Sequence, residues 1–151
     1  MPRYLQLVRV SRIREAPPAF TESVNVPGDL LVPFLYPWAE CDREHFLVAH
    51  LDTKNRLRGI EDTAIWTDST ALIHPSCVFR AALLASACAI ICAHNHPSGD
   101  LTPSTEDRHL VTRLVHAGAI LGVSLLDFLI FAPRTKEGVV PFVSFSQRGF
   151  L

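Results

Sequence analysis

Long basic runs, paired cysteines and membrane-length apolar stretches are all missing from this sequence. The net charge is −1 and the lysines and arginines form no long cluster, so the electrostatic footprint of a dedicated nucleic-acid-binding protein is absent. No apolar segment has the roughly 18 residues that a membrane span needs. The cysteines form no Cys-x-x-Cys pair, and we expect no secretory leader, which together predict reduced, mostly buried thiols in a cytoplasmic protein. They are Cys41, Cys77, Cys88 and Cys92.

Apolar residues are plentiful enough for one compact core. A chain of 151 residues with 48% hydrophobic content predicts a single globular domain, which we place at residues 26–151. Alternating and periodic apolar positions predict strands at 44–52, 57–67, 89–93, 123–132 and 142–151, and helices at 75–87, 104–121 and in part of 26–38. This order predicts an α/β fold of the α+β type, in which helices pack on a mixed β-sheet.

Residues 1–25 are predicted to be an N-terminal extension containing a strand. The apolar alternation at 5–10 indicates that strand, and Arg9, Arg12 and Arg14 form its polar complement. The basic excess is compatible with nucleic-acid binding. Nearby glutamates balance it, however, as is typical of a solvated edge strand.

The stretch from His94 to Asp107 carries most of the chemical information. In an extended strand, residues two apart point the same way, so His94 and His96 can converge on one point. Residues three apart share a helix face, so Ser104 and Asp107 can converge as well. Two imidazoles and one carboxylate, with a fourth position left for water, are typical of a catalytic zinc site. The spacing therefore predicts one zinc ion held by His94, His96 and Asp107.

Each part of this stretch also has an interpretation without a metal. Ser104-x-x-Asp107 before an apolar-periodic run is close to a helix capping box. The Pro/Gly/Ser/Asp-rich loop before it is ordinary turn chemistry. The His94-x-His96 pair is harder to explain in this way, because polar groups that follow an apolar run must find buried partners. The combination favours a metal site.

The same stretch resembles a known family. His94-x-His96, seven residues, then Ser104-x-x-Asp107 matches the signature of the JAMM (MPN+) metalloproteases. The string His-Asn-His-Pro-Ser-Gly-Asp with the following Pro-Ser is similar to the RadC branch of that superfamily. The likeness runs from about Glu44 to the C-terminus and includes Leu51-Asp52-Thr53-Lys54-Asn55, Leu125-Leu126-Asp127 and Ser144-Phe145-Ser146-Gln147-Arg148-Gly149.

The resemblance implies a fold and a role for each site residue. The fold would be cytidine-deaminase-like, with the mixed sheet between helices. Zn²⁺ would be bound by His94, His96 and Asp107, and the Ser104 hydroxyl would donate to the developing oxyanion unless it serves only as a helix cap. Glu44 stands where RadC-like sequences carry the general base. Asp100 and Ser98 are expected to hydrogen-bond the histidines. The competing candidates for the base are Glu40 and Glu61.

Two functions follow from these expectations. The first is a zinc-dependent hydrolase that cuts a peptide or isopeptide bond in a peptide or protein substrate. The alternative is a DNA-associated accessory protein, as the DNA-repair label of RadC suggests, with a structural or vestigial metal site. The chain departs from the family at Phe128, where histidine is usual, and at Pro75-Ser76-Cys77, where Pro-Arg-Glu is usual. Both changes are expected to alter a surface for substrate or partner, and neither removes a proposed ligand.

Overall fold

The computed structural model of the chain describes residues 23–26, 29, 34–66 and 73–151. The strand predicted at 5–10, and with it the three arginines, lies outside the described residues. Of the partly helical segment predicted at 26–38, the structure gives a short helix, α1, at Tyr36–Ala39.

Within the part of the chain that the structure describes, five strands form one mixed sheet, which confirms the predicted fold class. The strands are β1 (Glu44–Leu51), β2 (Leu57–Trp66), β3 (Ala89–Asn95), β4 (Ser124–Phe131) and β5 (Phe142–Ser144). Their order across the sheet is β2-β1-β3-β4-β5. Only β3 and β4 run parallel, and the other neighbours are antiparallel. The central strand β3 is buried along its whole length, because a hydrophobic core layer lies on each face of the sheet.

Alternate side chains of the strands build two core layers. On one face, Phe46 and Ile90 pack against helices α2 (Pro75–Leu84) and α3 (Thr105–Leu121). On the other face, Leu47 and Ile91 pack with residues of α1. This period of two follows from the strand pleat, and it puts the start of α3 on the same side of the sheet as Phe46. No helix among the described residues is long and apolar enough to cross a membrane.

Local signals explain where α3 begins and ends. Ser104 caps its first turn, and Gly122 follows its last residue in the left-handed conformation, with φ 71°, which glycine adopts without steric cost. Gly118 is required for close packing, because a Cβ atom there would lie 2.4 Å from the carbonyl oxygen of Val123. The last turn of α3 therefore packs closely against the backbone that leads into β4.

The C-terminal strand is shorter than the sequence predicts. β5 ends at Ser144 instead of continuing to residue 151. The buried carboxylate of Asp127 causes this, because it accepts hydrogen bonds from the Ser144 hydroxyl at 2.6 Å and the Ser146 N–H at 3.0 Å. Ser144 Oγ then accepts from the N–H of Gln147 at 3.1 Å. These bonds hold the chain beside β4 in a turn at residues 145–149, where the predicted strand would continue.

Phe128 does not lie on the surface. It is fully buried, with its ring centroid 5.9 Å from that of Phe46 and 4.9 Å from that of Phe145. The family's usual histidine is thus replaced by a core aromatic residue, and the effect of this change on a surface for substrate or partner stays a prediction. Pro75, in contrast, opens α2 after His74, whose ring accepts from the Ser76 N–H.

Candidate metal centre

The end of β3 delivers both histidines to one place. His94 is the second-last residue of β3, paired with Phe46 on β1 and Ile130 on β4, and is 3% exposed. His96 follows the strand, and its N–H donates to the carbonyl of Phe131 at 2.7 Å. The two rings lie with centroids 4.5 Å apart and planes at 83°. The predicted convergence of the His-x-His pair is therefore present.

The loop after β3 fixes which nitrogen of His96 is available. His96 Nδ1 contacts the main-chain carbonyl of Asp100. A carbonyl can only accept, so Nδ1 carries the hydrogen and Nε2 keeps its lone pair for a metal. Asp100 thus orients His96 through its backbone, and not through its carboxylate, which accepts from the Thr102 N–H. Ser98 contributes indirectly, because its hydroxyl accepts from the Asp100 N–H at 3.3 Å.

Glu44, the first residue of β1, reaches the same point. Its Oε2 lies 3.3 Å from His94 Nε2. The ligand-type atoms of Glu44, His94 and His96 all lie within 4.8 Å of one another. Glu40, in contrast, forms an exposed ion pair with Arg134, and Glu61 lies on β2 opposite Val48. Of the three glutamates considered from the sequence, Glu44 is the one beside the histidines.

Asp107 lies on the other side of His94. It is 1% exposed, and its Oδ1 is 3.7 Å from His94 Nδ1. That distance is too long for a hydrogen bond, and both atoms are buried without a hydrogen-bond partner. Buried polar atoms of this kind need a partner, and a cation is one that suits a lone pair and a carboxylate together. The residues present therefore fit a metal, although the three ligand atoms that converge most closely include Glu44 and not Asp107.

Ser104 forms both halves of the capping box. Its hydroxyl oxygen accepts from the Asp107 N–H at 3.0 Å, and its own N–H donates to Asp107 Oδ2 at 2.8 Å. The hydroxyl proton is donated to the same Oδ2 at 2.7 Å. Ser104 therefore caps α3 and, at the same time, occupies one oxygen of Asp107, which leaves Oδ1 as the oxygen open to a cation.

The electrostatics of the site favour positive charge at its centre. Burial opposes the imidazolium form of His94, but the Asp107 and Glu44 carboxylates outweigh that effect and raise the pKa of His94. Burial likewise opposes ionisation of Asp107, while His94 and the hydrogen bonds from Ser104 outweigh it and lower the pKa of Asp107. The hydrogen bond with His94 lowers the pKa of Glu44, against partial burial. Two ionised carboxylates thus flank His94, and they would stabilise a divalent cation in the same way as they stabilise the imidazolium.

Asn95 is a site residue that sequence reasoning missed. It is fully buried and forms hydrogen bonds with the backbone of Trp38, Arg43 and His45. Its place between the two histidines, in a strand that is otherwise apolar, was the signal that could have identified it. An amide in such a strand needs partners for all its polar atoms.

The chain is similar in sequence to known proteins of one family. Residues 28–150 match the family described as RadC-like JAB domain. The chain is 44% identical to a UPF0758 protein of Caldanaerobacter subterraneus subsp. tengcongensis over 72% of its own length and 46% of that protein. It is 43% identical to a UPF0758 protein of Moorella thermoacetica over 88% of its length and 57% of that protein. The chain thus spans about half the length of these curated relatives. By the match over residues 28–150, it belongs to the RadC-like JAB domain family.

Proposed function

We propose that this domain is a zinc-dependent hydrolase of the JAMM type that cuts a peptide or isopeptide bond. The observation that carries the proposal is the convergence of Glu44, His94 and His96 within 4.8 Å, next to an Asp107 oxygen that is buried without a partner. Two imidazoles with carboxylates are a donor set that zinc prefers.

The proposed ligands are His94, His96 and Asp107. Asp100 and Ser104 hold two of them in place, through His96 Nδ1 and Asp107 Oδ2 respectively. Such outer contacts fix the direction of a ligand's lone pair. A zinc ion bound there would lower the pKa of a coordinated water to about 7 and polarise the scissile carbonyl.

Glu44 is the proposed general base. Its carboxylate lies beside the histidines, with Oε2 3.3 Å from His94 Nε2, so in its ionised form it can accept a proton from an attacking water and return it to the leaving amine. Its side chain is one-third exposed, which leaves it open to a substrate. Ser104 can stabilise the oxyanion only if its hydroxyl turns away from Asp107, to which it donates in this structure.

The decisive experiment joins metal content to cleavage. The protein is purified without chelators and incubated with a peptide library and with isopeptide-linked substrates, before and after removal of metal and after zinc is restored. We expect cleavage that is lost with the metal and recovered with zinc. No cleavage of any substrate by zinc-loaded protein would contradict the proposal. If the same protein instead shifted DNA in a manner that weakens steeply with salt, the DNA-associated alternative would be favoured.

A further inference from the structure

The side chain of Asn95 does not face the metal centre, although it lies between two of its proposed ligands in the sequence. Neighbouring residues of a strand point to opposite faces, so the Asn95 amide and the His94 imidazole lie on opposite sides of β3. On its own side the amide forms three hydrogen bonds. It accepts from the His45 N–H at 2.5 Å and donates to the carbonyls of Arg43 at 2.9 Å and Trp38 at 3.0 Å.

These partners fix the orientation of the amide. A backbone N–H must face the amide oxygen, and two carbonyls must face the amide nitrogen, so rotation by 180° would break all three bonds. Asn95 is fully buried, so water cannot replace the lost bonds. The side chain is therefore a rigid connector between β3 and the chain around the start of β1.

The position of these bonds along β1 is informative. The pairing of β1 with β3 begins at Phe46, opposite His94, so Glu44 lies two residues beyond the last paired position on that side. Asn95 binds the carbonyl of Arg43 and the N–H of His45, which are the neighbours of Glu44 on either side. The Asn95 side chain thus continues the connection between β1 and β3 past the end of their backbone pairing. It does so at Glu44, the proposed base.

We infer that Asn95 is a positioning residue that clamps the backbone on both sides of Glu44 and so sets the Glu44 carboxylate against His94 and His96. The inference rests on the proposed function, since it assigns Glu44 a role at the metal centre. Asn95 acts through Glu44 and touches no ligand with its side chain. A role limited to general stability would affect the centre equally with or without the Glu44 carboxylate.

A double-mutant cycle on zinc affinity separates these two roles without using a substrate. The zinc dissociation constant is measured by chelator competition for the wild type, Asn95→Ala, Glu44→Gln and the double variant. The Glu44 carboxylate can add to zinc affinity without being a ligand, because its Oε2 lies 3.3 Å from Nε2 of the proposed ligand His94 and contacts in the outer shell of a metal are typically worth about 10–100-fold in affinity. We expect Asn95→Ala to weaken zinc binding by about that factor in the wild-type background and by less than about 3-fold in the Glu44→Gln background.

Ser144→Ala is the matched control, because it also removes a buried side chain with several hydrogen bonds, but at β5. It should lower the melting temperature and leave zinc affinity unchanged. If Asn95→Ala does not fold, Asn95→Ser enters the same cycle, because its hydroxyl can retain one of the three bonds. Turnover is measured in parallel. The effect of Asn95→Ala on turnover should also become small when Glu44 is replaced by glutamine.

Equal weakening of zinc by Asn95→Ala in both backgrounds would overturn the inference, even if the wild type is an active hydrolase. If Asn95→Ala weakens zinc binding only when Glu44 is present, but the wild type hydrolyses no substrate, the placement of Glu44 is supported and the proposed activity is contradicted. A wild type that binds no zinc would overturn both.

Discussion

Glu44 Oε2 lies 3.3 Å from His94 Nε2, although 50 residues separate the two in the chain. The antiparallel pairing of β1 with β3 makes this contact, because it sets Phe46 opposite His94. At this distance from the imidazole, the carboxylate can act as a base toward a water molecule or bind the cation directly.

The first prediction is one tightly held zinc ion per chain. The buried, unpartnered atoms His94 Nδ1 and Asp107 Oδ1 favour a cation, and His96 presents a free Nε2. Elemental analysis after dialysis should give near-equimolar zinc for the wild type, and His96→Ala should lose most of it. His116→Ala, at an exposed position of α3, should retain it. Absence of metal from wild-type protein purified without chelators would rule out the site.

The parts of this site that sequence predicts are the local ones. A period of two placed His94 and His96 together, and the Ser-x-x-Asp spacing gave the capping box of Ser104 and Asp107, because both depend only on the geometry of one strand or one helix turn. The contact of Glu44 with His94 depends on the register between two strands. Register follows from the packing of whole faces, so here only the family resemblance pointed to Glu44.

The features that sequence reasoning missed are non-local hydrogen bonds. Asn95 binds the backbone of a residue 57 positions away, and no pattern of side-chain types reveals a backbone partner. The early end of β5 has the same cause, since Asp127 reaches the Ser146 N–H across 19 positions. Apolar periodicity predicts where strands lie. It does not show where hydrogen bonds to a buried carboxylate will end a strand.

Ser104 can be tested as a cap and as an oxyanion donor separately. Ser104→Ala should lower the free energy of unfolding by roughly 0.5–2 kcal/mol, because it removes the N-cap acceptor, whereas Ser104→Gly should cost only a few tenths. If the hydroxyl also donates to the oxyanion, both variants should lose about 10²–10³ in turnover. Thermal or denaturant unfolding and kinetics at measured zinc occupancy check the two effects.

The glycine variant decides between the roles, because it keeps the helix nearly as stable but has no hydroxyl. Ser104→Gly with full zinc and turnover within a few-fold of wild type would exclude the donor role. An aspartate at this position would be a poorer probe, because it would put a second carboxylate beside Asp107 Oδ2.

His50 should make the fold sensitive to acid independently of the metal centre. Burial lowers the pKa of His50 to about 4 from an ordinary 6.5, so between these values the unfolded chain is protonated there and the folded chain is not. Stability is therefore complete above about pH 6.5 and falls as the pH drops toward 4, by at most about 1.4 kcal/mol per pH unit for one proton. Denaturant unfolding across this range measures the slope.

Replacement of His50 by an apolar residue of similar size should remove this slope. His50 Nε2 is buried without a hydrogen-bond partner, so His50→Leu removes an unsatisfied atom and should keep the fold stable at pH 7. Comparison with wild type at the same zinc concentration cancels the acid sensitivity of the metal site. His116→Gln controls for the loss of a histidine elsewhere. Equal slopes for His50→Leu and wild type would show that His50 does not cause the effect.

The last prediction concerns the role of the Glu44 carboxylate. Glu44→Gln keeps the volume of the side chain and its ability to hydrogen-bond, but the amide cannot accept a proton at neutral pH. A general base contributes about 10²–10⁴-fold, so turnover should fall by that order while the fold and the zinc stoichiometry at saturating zinc persist. Steady-state kinetics with elemental analysis of the same sample measures both.

Two other glutamates supply the controls for Glu44. Glu40 is paired with Arg134 on the surface, and Glu61 lies on β2 away from the histidines. Glu40→Gln and Glu61→Gln should therefore leave turnover within a few-fold of wild type. Loss of the zinc itself in Glu44→Gln would indicate that Glu44 is a ligand. Its position is compatible with that role, because Glu44 lies with His94 and His96 in one group of possible ligand atoms. Unchanged turnover at full zinc occupancy would assign the base to another residue, because an amide at position 44 cannot perform the proton transfer.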